Sequence, residues 1–528
     1  MHSPIVSLGM TRRAAPRSRP NSPPGSRPAA TTTQRPATAP RPPLWPSLRE
    51  LADPSGPFLV PLLLLLVARL AFWALLPLAS EDAYITFRYA RHLATGAGLI
   101  YNPGERVMGF SSPLWTVWMG AGYALVRDPV LWSRIWAILA DVTTLLLIGG
   151  LLKRHASLRS AWCFTFFFAA WPYFSAVAVS GMENGVLLAM IALAGVLVER
   201  GSRWSGPALA AVAFMRPEGV ASALVLGLGA RNRDRLIGLG LLAAGAAALA
   251  FYFGSFLPQS VLAKSQLYGT PGPWAGRGWW EWLLPFAFGR WPILSEATHL
   301  LPLTIVFAPA VVSGSVALWR ARRTALAHVV GAMVIVWIGY ALLGVAYFYW
   351  YLAVPLGGLA ALAAVGLPRL VQGRGVLLAI ALYVLGTWTV VTTLYLGRAQ
   401  NESFGFARVS QYLQAQARPG ERVMLEPIGL IGYRTPLVIV DEVGLVSPAV
   451  AKRRLQGPGW YADVARETAP EWLVVRRGLV RQGAVFAGAG APFRSAAERD
   501  ALFAGYRRVH VVEEQAGDQA IEIYRRAN

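Results

Sequence analysis

The sequence has a single cysteine and few charged residues. Cys163 lies inside an apolar run, so an intrachain disulfide and a cysteine-based metal site are both excluded. Charged residues make up 14% of the 528 residues, whereas hydrophobic residues make up 55%. Several apolar runs reach the ~20 residues that a helix needs to cross a bilayer. This composition excludes an ordinary soluble protein and predicts an integral membrane protein whose immediate partner is the lipid bilayer.

Acidic residues are scarce as well, with 27 acids against 49 lysines and arginines and a net charge of +22. The basic residues fall in an N-terminal tail and in short clusters between apolar runs, as the positive-inside rule predicts, so we expect no nucleic-acid partner. Six scattered histidines show no metal-ligand spacing, so no metal site is predicted. Carboxylates alone leave a divalent cation possible, so the cofactor requirement stays open.

The order of apolar runs and basic clusters predicts three regions. Residues 1–50 are rich in Pro, Ser, Thr and Arg and read as a disordered cytoplasmic tail. Residues 51–398 read as a transmembrane domain of about eleven crossings, or nine if the interrupted stretch 206–230 does not fully span. Both odd counts place the C-terminus outside the cytoplasm. Pro113 to Val126 is short for a span and is predicted to be an interfacial or re-entrant helix.

Residues 399–528 have the composition of a water-soluble α/β domain outside the cytoplasm. They contain neither a P-loop nor a dinucleotide fingerprint. The domain could bind an acceptor or cover the mouth of an active site. A helix is predicted at Phe406 to Gln416, and strands at Arg422 to Leu425, Leu437 to Asp441, Trp472 to Val475, Val509 to Glu513 and Ala520 to Tyr524.

The polar stretch from residue 80 to 113 follows the first apolar run and is the first candidate for chemistry. Helical spacing of Ala83, Phe87 and Ala90 predicts a surface helix with Glu81 and Asp82 in its first turn. The two acids could simply be N-terminal capping residues, whose carboxylates are stabilised by the helix dipole. Alternatively, one is a general base, with a basic and aromatic set nearby that suits an anionic substrate. That set comprises Tyr84, Arg88, Arg91 and His92.

The acidic pair, the YITFRYARHL helix and the N-P-G-E-R-V-x-G-[FY]-[ST]-[SN]-P-L-W run at Asn102 to Trp115 resemble the first outer loop of GT-C membrane glycosyltransferases. The closest subgroup is that of the actinobacterial terminal β-arabinofuranosyltransferases. The resemblance covers roughly residues 58 to 450. It implies a GT-C-type helical fold, a polyprenyl-phosphate sugar donor and an acid in this loop that activates the acceptor hydroxyl. Glu81-Asp82 stands where relatives often have Asp-Asp, so both remain candidates, with Asp82 favoured.

Charged residues within or at the edge of apolar membrane segments supply further candidates, because a charge in that environment is costly and often functional. Arg216 and Glu218 lie in an R-P-E-G run, which resembles the family's broken helix facing the catalytic cavity. An internal ion pair that stabilises the break is the alternative. Glu183, in an S-G-M-E-N turn, resembles the cavity rim of the family, or is a solvated loop acid.

Lys264 ends an L-P-x-[ST]-x-x-A-K pattern that relatives also show. A departing lipid phosphate needs positive charge, which makes Lys264 the first candidate for the donor phosphate, with Arg216 and Arg88 beside it. A snorkelling lysine is the alternative. The aromatic run from Tyr347 to Tyr351 could stack on an isoprenoid or sugar, or form an interfacial belt. The acceptor cavity is assigned Glu183, Glu218, Arg91, His92 and Tyr84.

The resulting hypothesis is an enzyme of the bacterial cytoplasmic membrane. It transfers a sugar, for which arabinofuranose is one candidate, from a polyprenyl-phosphate donor to a cell-envelope glycan or another acceptor at the outer face, with inversion. A flippase for a lipid-linked glycan is the rival, although no internal hydropathy repeat supports it. A non-catalytic assembly protein on the same fold is the third possibility.

Overall fold

Helices form most of the chain that the computed structural model describes. The described residues are 44–267, 276, 278, 279, 282, 307–346, 348–373, 375–390, 396–481, 486, 488, 490–514 and 517–527. Residues 1–43, which hold most of the expected tail, lie outside this set. Most residues from 268 to 306, within the predicted transmembrane domain, also lie outside it.

The described first half of the chain is mainly helical, with a longer non-helical stretch between α3 and α4. Its helices are α1 (Leu48–Ala52), α2 (Leu59–Leu75), α3 (Glu81–Ala94), α4 (Pro113–Val126), α5 (Pro129–His155), α6 (Leu158–Ala170), α7 (Pro172–Val179), α8 (Asn184–Glu199), α9 (Ser205–Met215), α10 (Gly219–Gly227), α11 (Asn232–Phe253) and α12 (Gln259–Leu267). The 14-residue helix expected at Pro113 to Val126 is confirmed as α4, which packs on α3.

The remaining apolar helices are α13 (Ala308–Arg320), α14 (Ala325–Leu343), a 3-10 turn (Tyr349–Leu352) that runs into α15 (Ala353–Leu370), and α16 (Gly375–Val390). Within the described residues, four helical segments are long and apolar enough to cross a membrane: Pro129–His155, Asn232–Phe253, Ala325–Leu343 and Tyr349–Leu370. The pair α6 and α7, bent by 54°, makes a fifth if it is one span. The eleven or nine crossings therefore stay a prediction.

Two helix breaks divide what would otherwise be continuous spans. The stretch 206–230 is interrupted as predicted, because α9 ends at Met215 and α10 begins at Gly219. The second break lies between α6 and α7, where Pro172 cannot donate a backbone hydrogen bond. Broken helices leave carbonyl oxygens without backbone partners, and such groups need other donors inside a membrane.

Two buried arginines donate to carbonyl oxygens at helix ends, and one of them does so at the break between α6 and α7. Arg69 of α2 donates to the carbonyls of Phe168 at 3.1 Å and Ala169 at 2.7 Å, at the end of α6, and pairs with Asp141 of α5 at 2.8 Å. Arg134 of α5 donates to the carbonyl oxygens of Leu76, Leu78 and Val179, which follow or end α2 and α7. Both arginines therefore join helices by bonding their carboxyl ends.

The C-terminal part folds around a five-stranded sheet in the order β2-β1-β3-β5-β4. Its strands are β1 (Arg422–Leu425), β2 (Val438–Asp441), β3 (Trp472–Arg476), β4 (Tyr506–Val512) and β5 (Ile521–Arg526). Its helices are α17 (Leu396–Gln416), α18 (Ile428–Arg434), α19 (Pro448–Arg454), α20 (Trp460–Thr468), α21 (Arg477–Arg481) and α22 (Ala496–Ala504). All five predicted strands are confirmed within a few residues. The expected boundary at 398/399 falls inside α17.

β1, β2 and β3 are parallel, with Val423 opposite Ile439 and Met424 opposite Leu473, whereas β5 runs antiparallel to β3 and β4. Side chains alternate between the two faces of a strand. Val423 and Leu425 accordingly join the core that is continuous with the helical bundle, while Met424 joins a second core with α20. The sheet is thus covered on both faces, as parallel strands require.

Candidate active site

The start of α3 holds two adjacent carboxylates that point to different neighbours. Glu81 and Asp82 occupy its first turn, and neither accepts a hydrogen bond from the described backbone of α3. Neighbouring residues on a helix project about 100° apart. Asp82 consequently reaches α12, and Glu81 reaches α18.

Asp82 faces Lys264. The Lys264 Nζ lies 3.4 Å from Asp82 Oδ2, and both side chains are about 15% exposed. Burial lowers the pKa of Lys264, but the Tyr351 hydroxyl and the Asp82 carboxylate more than offset it, so the pKa is raised and the ammonium stays charged. A carboxylate and a cation therefore meet at a partly solvated point, where an acid-base step on a charged substrate is possible.

Backbone and side-chain bonds of Gln259 hold α12 in this position. Its backbone N–H donates to the Met108 carbonyl at 2.9 Å, and its side-chain amide donates to the Gly444 carbonyl at 3.1 Å. One residue thus ties α12 both to the loop before α4 and to the loop after β2. Lys264 lies on α12, so its position relative to Asp82 depends on both contacts of Gln259.

Arg216 lies at the break between α9 and α10 and is buried with two carboxylates. Its Nη1 bonds Glu183 and its Nε bonds Glu218, while the Tyr340 hydroxyl donates to the same Glu218 oxygen. The Glu183 turn and the R-P-E-G break, which lie far apart in sequence, therefore form one network. Its Nη2 bonds no described residue, so the Nη2 edge of the guanidinium could still donate to an anion.

Aromatic rings lie between the two cations. The Arg216 Cζ is 5.0 Å from the Tyr351 ring centroid, and the Lys264 Nζ is 5.9 Å from the same centroid and 4.9 Å from that of Phe348. Cation-π contacts of this length orient charged side chains. Tyr351 and Phe348 therefore belong to the site, whereas Tyr347 lies outside the described residues.

Glu81 bonds the C-terminal region. Its Oε1 accepts from the backbone N–H groups of Gly429 and Leu430, at the start of α18. A Cβ at position 429 would overlap the Glu81 carbonyl oxygen, so only glycine allows this approach. Burial, Asp82 and Glu426 raise the pKa of Glu81. Of the two candidate bases, Glu81 is thus engaged in docking and Asp82 faces the cation.

Arg88 also docks the C-terminal region. All three of its nitrogens donate to carbonyl oxygens: Nε to Tyr101 at 2.9 Å, Nη1 to Gly432 at 2.6 Å and Nη2 to Leu437 at 2.9 Å. Arg88 is 2% exposed, and all three nitrogens of its guanidinium group already have carbonyl partners. Its expected role in phosphate binding stays a prediction.

Arg91, His92 and Tyr84, the other expected members of the acceptor cavity, also make structural contacts. Arg91 donates to the Tyr433 carbonyl at 2.6 Å, and His92 Nδ1 lies 2.8 Å from the Ile100 carbonyl oxygen. The Tyr84 hydroxyl accepts from the Ala79 backbone N–H at 3.3 Å. None of the three bonds Asp82 or Lys264 in the described part of the chain.

Asn102, which the sequence identified only as part of a motif, also bonds the C-terminal region. Its amide donates to the Ile439 carbonyl at 2.9 Å, and its side-chain oxygen accepts from the Ile439 N–H at 3.0 Å. β2 is an edge strand, and Asn102 occupies backbone groups that another strand would otherwise pair. Tertiary contacts of this kind leave no periodic signal in the sequence.

Acidic residues directly follow the carboxyl ends of two parallel strands, at the edge of the sheet that faces α3. Glu426 follows β1, and its pKa is raised by burial and, more weakly, by Asp82, although Arg476 at 3.6 Å opposes this. Glu442 follows β2, and burial together with Glu426 raises its pKa to about 8. Ligands of open α/β sheets bind at this edge. Within the described residues, no group of three or more acidic, histidine or cysteine residues could hold a metal.

Known proteins resemble parts of the chain. A family described as a domain of unknown function, DUF8728, matches residues 392–524. The terminal beta-(1->2)-arabinofuranosyltransferase of Mycobacterium tuberculosis is 29% identical over 223 aligned residues, which cover 35% of this chain and 34% of that protein. The match thus spans about a third of the length of that curated relative.

Solved structures resemble most of the chain. ArnT from Cupriavidus metallidurans bound to undecaprenyl phosphate superposes with a TM-score of 0.57 at 14% identity, over 88% of this chain and 97% of ArnT. The oligosaccharyltransferase of Archaeoglobus fulgidus matches with a TM-score of 0.48 at 10% identity, over 86% of this chain and 72% of that one. The expected GT-C fold is confirmed by the ArnT likeness.

Proposed function

We propose that this protein is a membrane glycosyltransferase that moves one sugar from a polyprenyl-phosphate donor to a glycan acceptor. The observation that carries the proposal is the pair of Asp82 and Lys264, 3.4 Å apart, beside the buried Arg216. A base and two cations are what a sugar-phosphate displacement needs. ArnT, which shares the fold, was solved with undecaprenyl phosphate, and this supports a lipid-phosphate donor.

The proposed reaction is a single displacement. The Asp82 carboxylate takes the proton of an acceptor hydroxyl, and the oxygen attacks the anomeric carbon as the carbon-oxygen bond to phosphate breaks. The electron pair leaves with the polyprenyl phosphate, and the anomeric configuration inverts. Lys264 would move its charge from Asp82 to the phosphate when the donor binds, which frees the carboxylate as the phosphate gains charge.

Arg216 would bind the same phosphate through Nη2, which bonds no described residue. Glu183 and Glu218 fix its orientation, and Tyr340 fixes Glu218. Such preorganisation reduces the reorganisation that charge development would otherwise require. Glu183 and Glu218 therefore act through Arg216 in this proposal.

The location and the sugar are part of the proposal. The α/β region packs against Glu81 and Arg88 of α3, so residues 399–528 and the loop 80–113 lie on one side of the membrane. The positive-inside pattern puts that side outside the cytoplasm, with the N-terminal tail inside. The name of the mycobacterial relative supports arabinofuranose as the transferred sugar and the cell envelope as the acceptor's location.

A reconstituted transfer assay tests the proposal. Purified protein is mixed with a synthetic polyprenyl-phosphate arabinofuranose and a neutral arabino-oligosaccharide. The expected product is longer by one sugar, and NMR should show an inverted anomeric centre. Pentose and hexose donors are compared in parallel. Absence of product with every donor, together with movement of a labelled lipid-linked glycan across liposomes, would replace the enzyme with a flippase.

A further inference from the structure

Ser80 occupies the N-cap position of α3, immediately before the two acids, but its hydroxyl does not cap the helix. Its backbone has the extended conformation usual for an N-cap residue, with φ −61° and ψ 148°. A serine at this position normally accepts a hydrogen bond from an N–H of the first helical turn. The Ser80 hydroxyl makes no such bond to the described backbone of α3 and lies 2.8 Å from the hydroxyl of Tyr349. A contact 269 residues away therefore replaces the local cap.

Two further hydrogen bonds connect Ser80 and Tyr349 through α7. The Ser80 backbone N–H donates at 2.8 Å to the carbonyl oxygen of Ser180, which directly follows α7. At the start of α7, the buried Tyr173 hydroxyl donates to the carbonyl oxygen of Tyr349 at 2.6 Å. With the contact between the two hydroxyl groups, these bonds form a closed path from Ser80 through α7 to Tyr349 and back. We refer to the three bonds as the Ser80 network.

Packing and a buried arginine reinforce the contact between the segment before α3 and the turn after α7. Arg134 donates to two carbonyl oxygens that follow α2 and to one at the end of α7. Gly181 has a φ of 82°, and a Cβ there would lie 3.0 Å from the Cβ of Ala83 and 3.1 Å from that of Ala79. The turn after α7 therefore lies directly against the start of α3.

Each of three residues in the Ser80 network lies two or three positions before a residue of the candidate site. The three pairs are Ser80 and Asp82, Ser180 and Glu183, and Tyr349 and Tyr351. Asp82 bonds Lys264, Glu183 bonds Arg216, and the Tyr351 ring contacts both of these cations. The network therefore joins the segments that carry the carboxylate, the acid partner of Arg216 and the aromatic ring next to both cations.

We propose that the hydroxyl pair of Ser80 and Tyr349 positions the Asp82 carboxylate relative to the two cations of the site. This role rests on the proposed transferase function, in which Asp82 removes a proton while Lys264 and Arg216 hold the phosphate. Because the attacking oxygen and the leaving phosphate must lie on opposite sides of one carbon atom, a displacement of about 1 Å can cost about 10²-fold in rate. Neither hydroxyl contacts the substrate in this proposal, so both residues are positioning residues.

Tyr349→Phe and Ser80→Ala remove the same hydrogen bond from its two sides, and steady-state transfer by both variants and by the double variant tests the proposal. Each single change should lower kcat by about 5- to 100-fold and change the donor KM less than about threefold, because both cations remain. The double variant should be no slower than the slower single variant, since the two changes delete one contact. Ser80→Thr keeps a hydroxyl and should recover part of the rate. The matched control is Tyr506→Phe, which removes a hydroxyl bonded to the Pro470 carbonyl in the C-terminal region and should keep the wild-type kcat.

Hydrogen exchange followed by mass spectrometry gives a second measurement that does not depend on transfer. Tyr349→Phe should speed amide exchange in both residues 80–83 and residues 180–183, because the network joins these two turns. Tyr506→Phe should leave the exchange of both turns unchanged. Thermal midpoints show that each variant is folded.

Wild-type kcat in Tyr349→Phe and Ser80→Ala would overturn the positioning role and leave the transferase intact. Losses that multiply in the double variant would overturn it as well, because the two hydroxyl groups would then act independently. Absence of transfer by the wild type would refute the transferase and the catalytic part of the role. In that case, faster exchange of both turns in Tyr349→Phe retains the network as the element that aligns these segments, whereas unchanged exchange overturns it.

Discussion

Substitution of the two adjacent acids of α3 separates chemistry from docking. Asp82→Asn keeps the size of the side chain and removes its basicity. Glu81→Gln keeps a carbonyl oxygen that can still accept from the N–H groups of Gly429 and Leu430. The pair is a matched comparison, because both changes replace an acid by its amide at neighbouring positions of one helical turn.

The expected magnitudes differ strongly. Loss of a general base lowers the rate ~10²–10⁴-fold, which corresponds to about 3–5 kcal/mol of activation free energy. Asp82→Asn should lower kcat by this amount, while donor KM changes little because Lys264 and Arg216 remain. Glu81→Gln should keep nearly all activity, because burial and neighbouring acids already raise the pKa of Glu81 towards its neutral form.

Single-turnover transfer with saturating polyprenyl-phosphate donor measures the chemical step in both variants. Thermal midpoints measured beside it show that each variant is folded. The reasoning is refuted if Glu81→Gln loses at least a hundredfold in rate while Asp82→Asn keeps the wild-type rate. That outcome would make Glu81 the base and would require α18 to move during catalysis.

Three further predictions concern phosphate binding, docking and pH. Lys264→Ala removes a charged hydrogen bond of ~1.5–3 kcal/mol and should raise the donor KM by about 10- to 150-fold. Lys264→Arg should recover part of the affinity. An unchanged donor KM in Lys264→Ala contradicts the phosphate assignment. Asn102→Ala leaves the N–H and carbonyl of Ile439 without hydrogen-bond partners, and each lost partner costs about 1–3 kcal/mol. The variant should therefore have a lower thermal midpoint and be cleaved more readily by proteases after residue 396. The exposed control Asn401→Ala should show neither effect. Glu442 has a folded pKa of about 8 against an ordinary 4.5, so its contribution to stability is full below the ordinary value and is lost as pH rises through about 8. The thermal midpoint of the wild type should therefore fall more steeply than that of Glu442→Gln between these values, and parallel curves would refute the raised pKa.

Much of the fold was predictable because it depends on local patterns. Alternating and apolar segments between Gly and Pro turns identified all five strands, and the Arg216-Pro217-Glu218 run identified the broken helix. The number of crossings was less accessible, because several apolar helices are shorter than a full span. Arg69 and Arg134 were missed, although charged residues in apolar runs are themselves a signal.

The residues expected at the site were selected from motifs, and their roles stay predictions. The structure pairs Asp82 with Lys264, and it pairs Arg216 with Glu183 and Glu218. Arg88 and Arg91 were selected for their charge, but their guanidinium groups bond carbonyl oxygens of residues more than 300 positions away. A basic residue on a helix carries no local mark that separates an anion ligand from a carbonyl donor.

The sequence by itself determined the membrane character, the break between α9 and α10, the strands and the acidic turn, because hydrophobic periodicity and turn residues act over a few neighbouring positions. The break between α6 and α7 was not predicted. Only the tertiary structure decided which acid of the turn faces a cation. Glu81 and Asp82 are chemically alike and adjacent, and the 100° between them on α3 directs one to α18 and the other to Lys264. That difference arises from packing between segments distant in the chain, which no local pattern encodes.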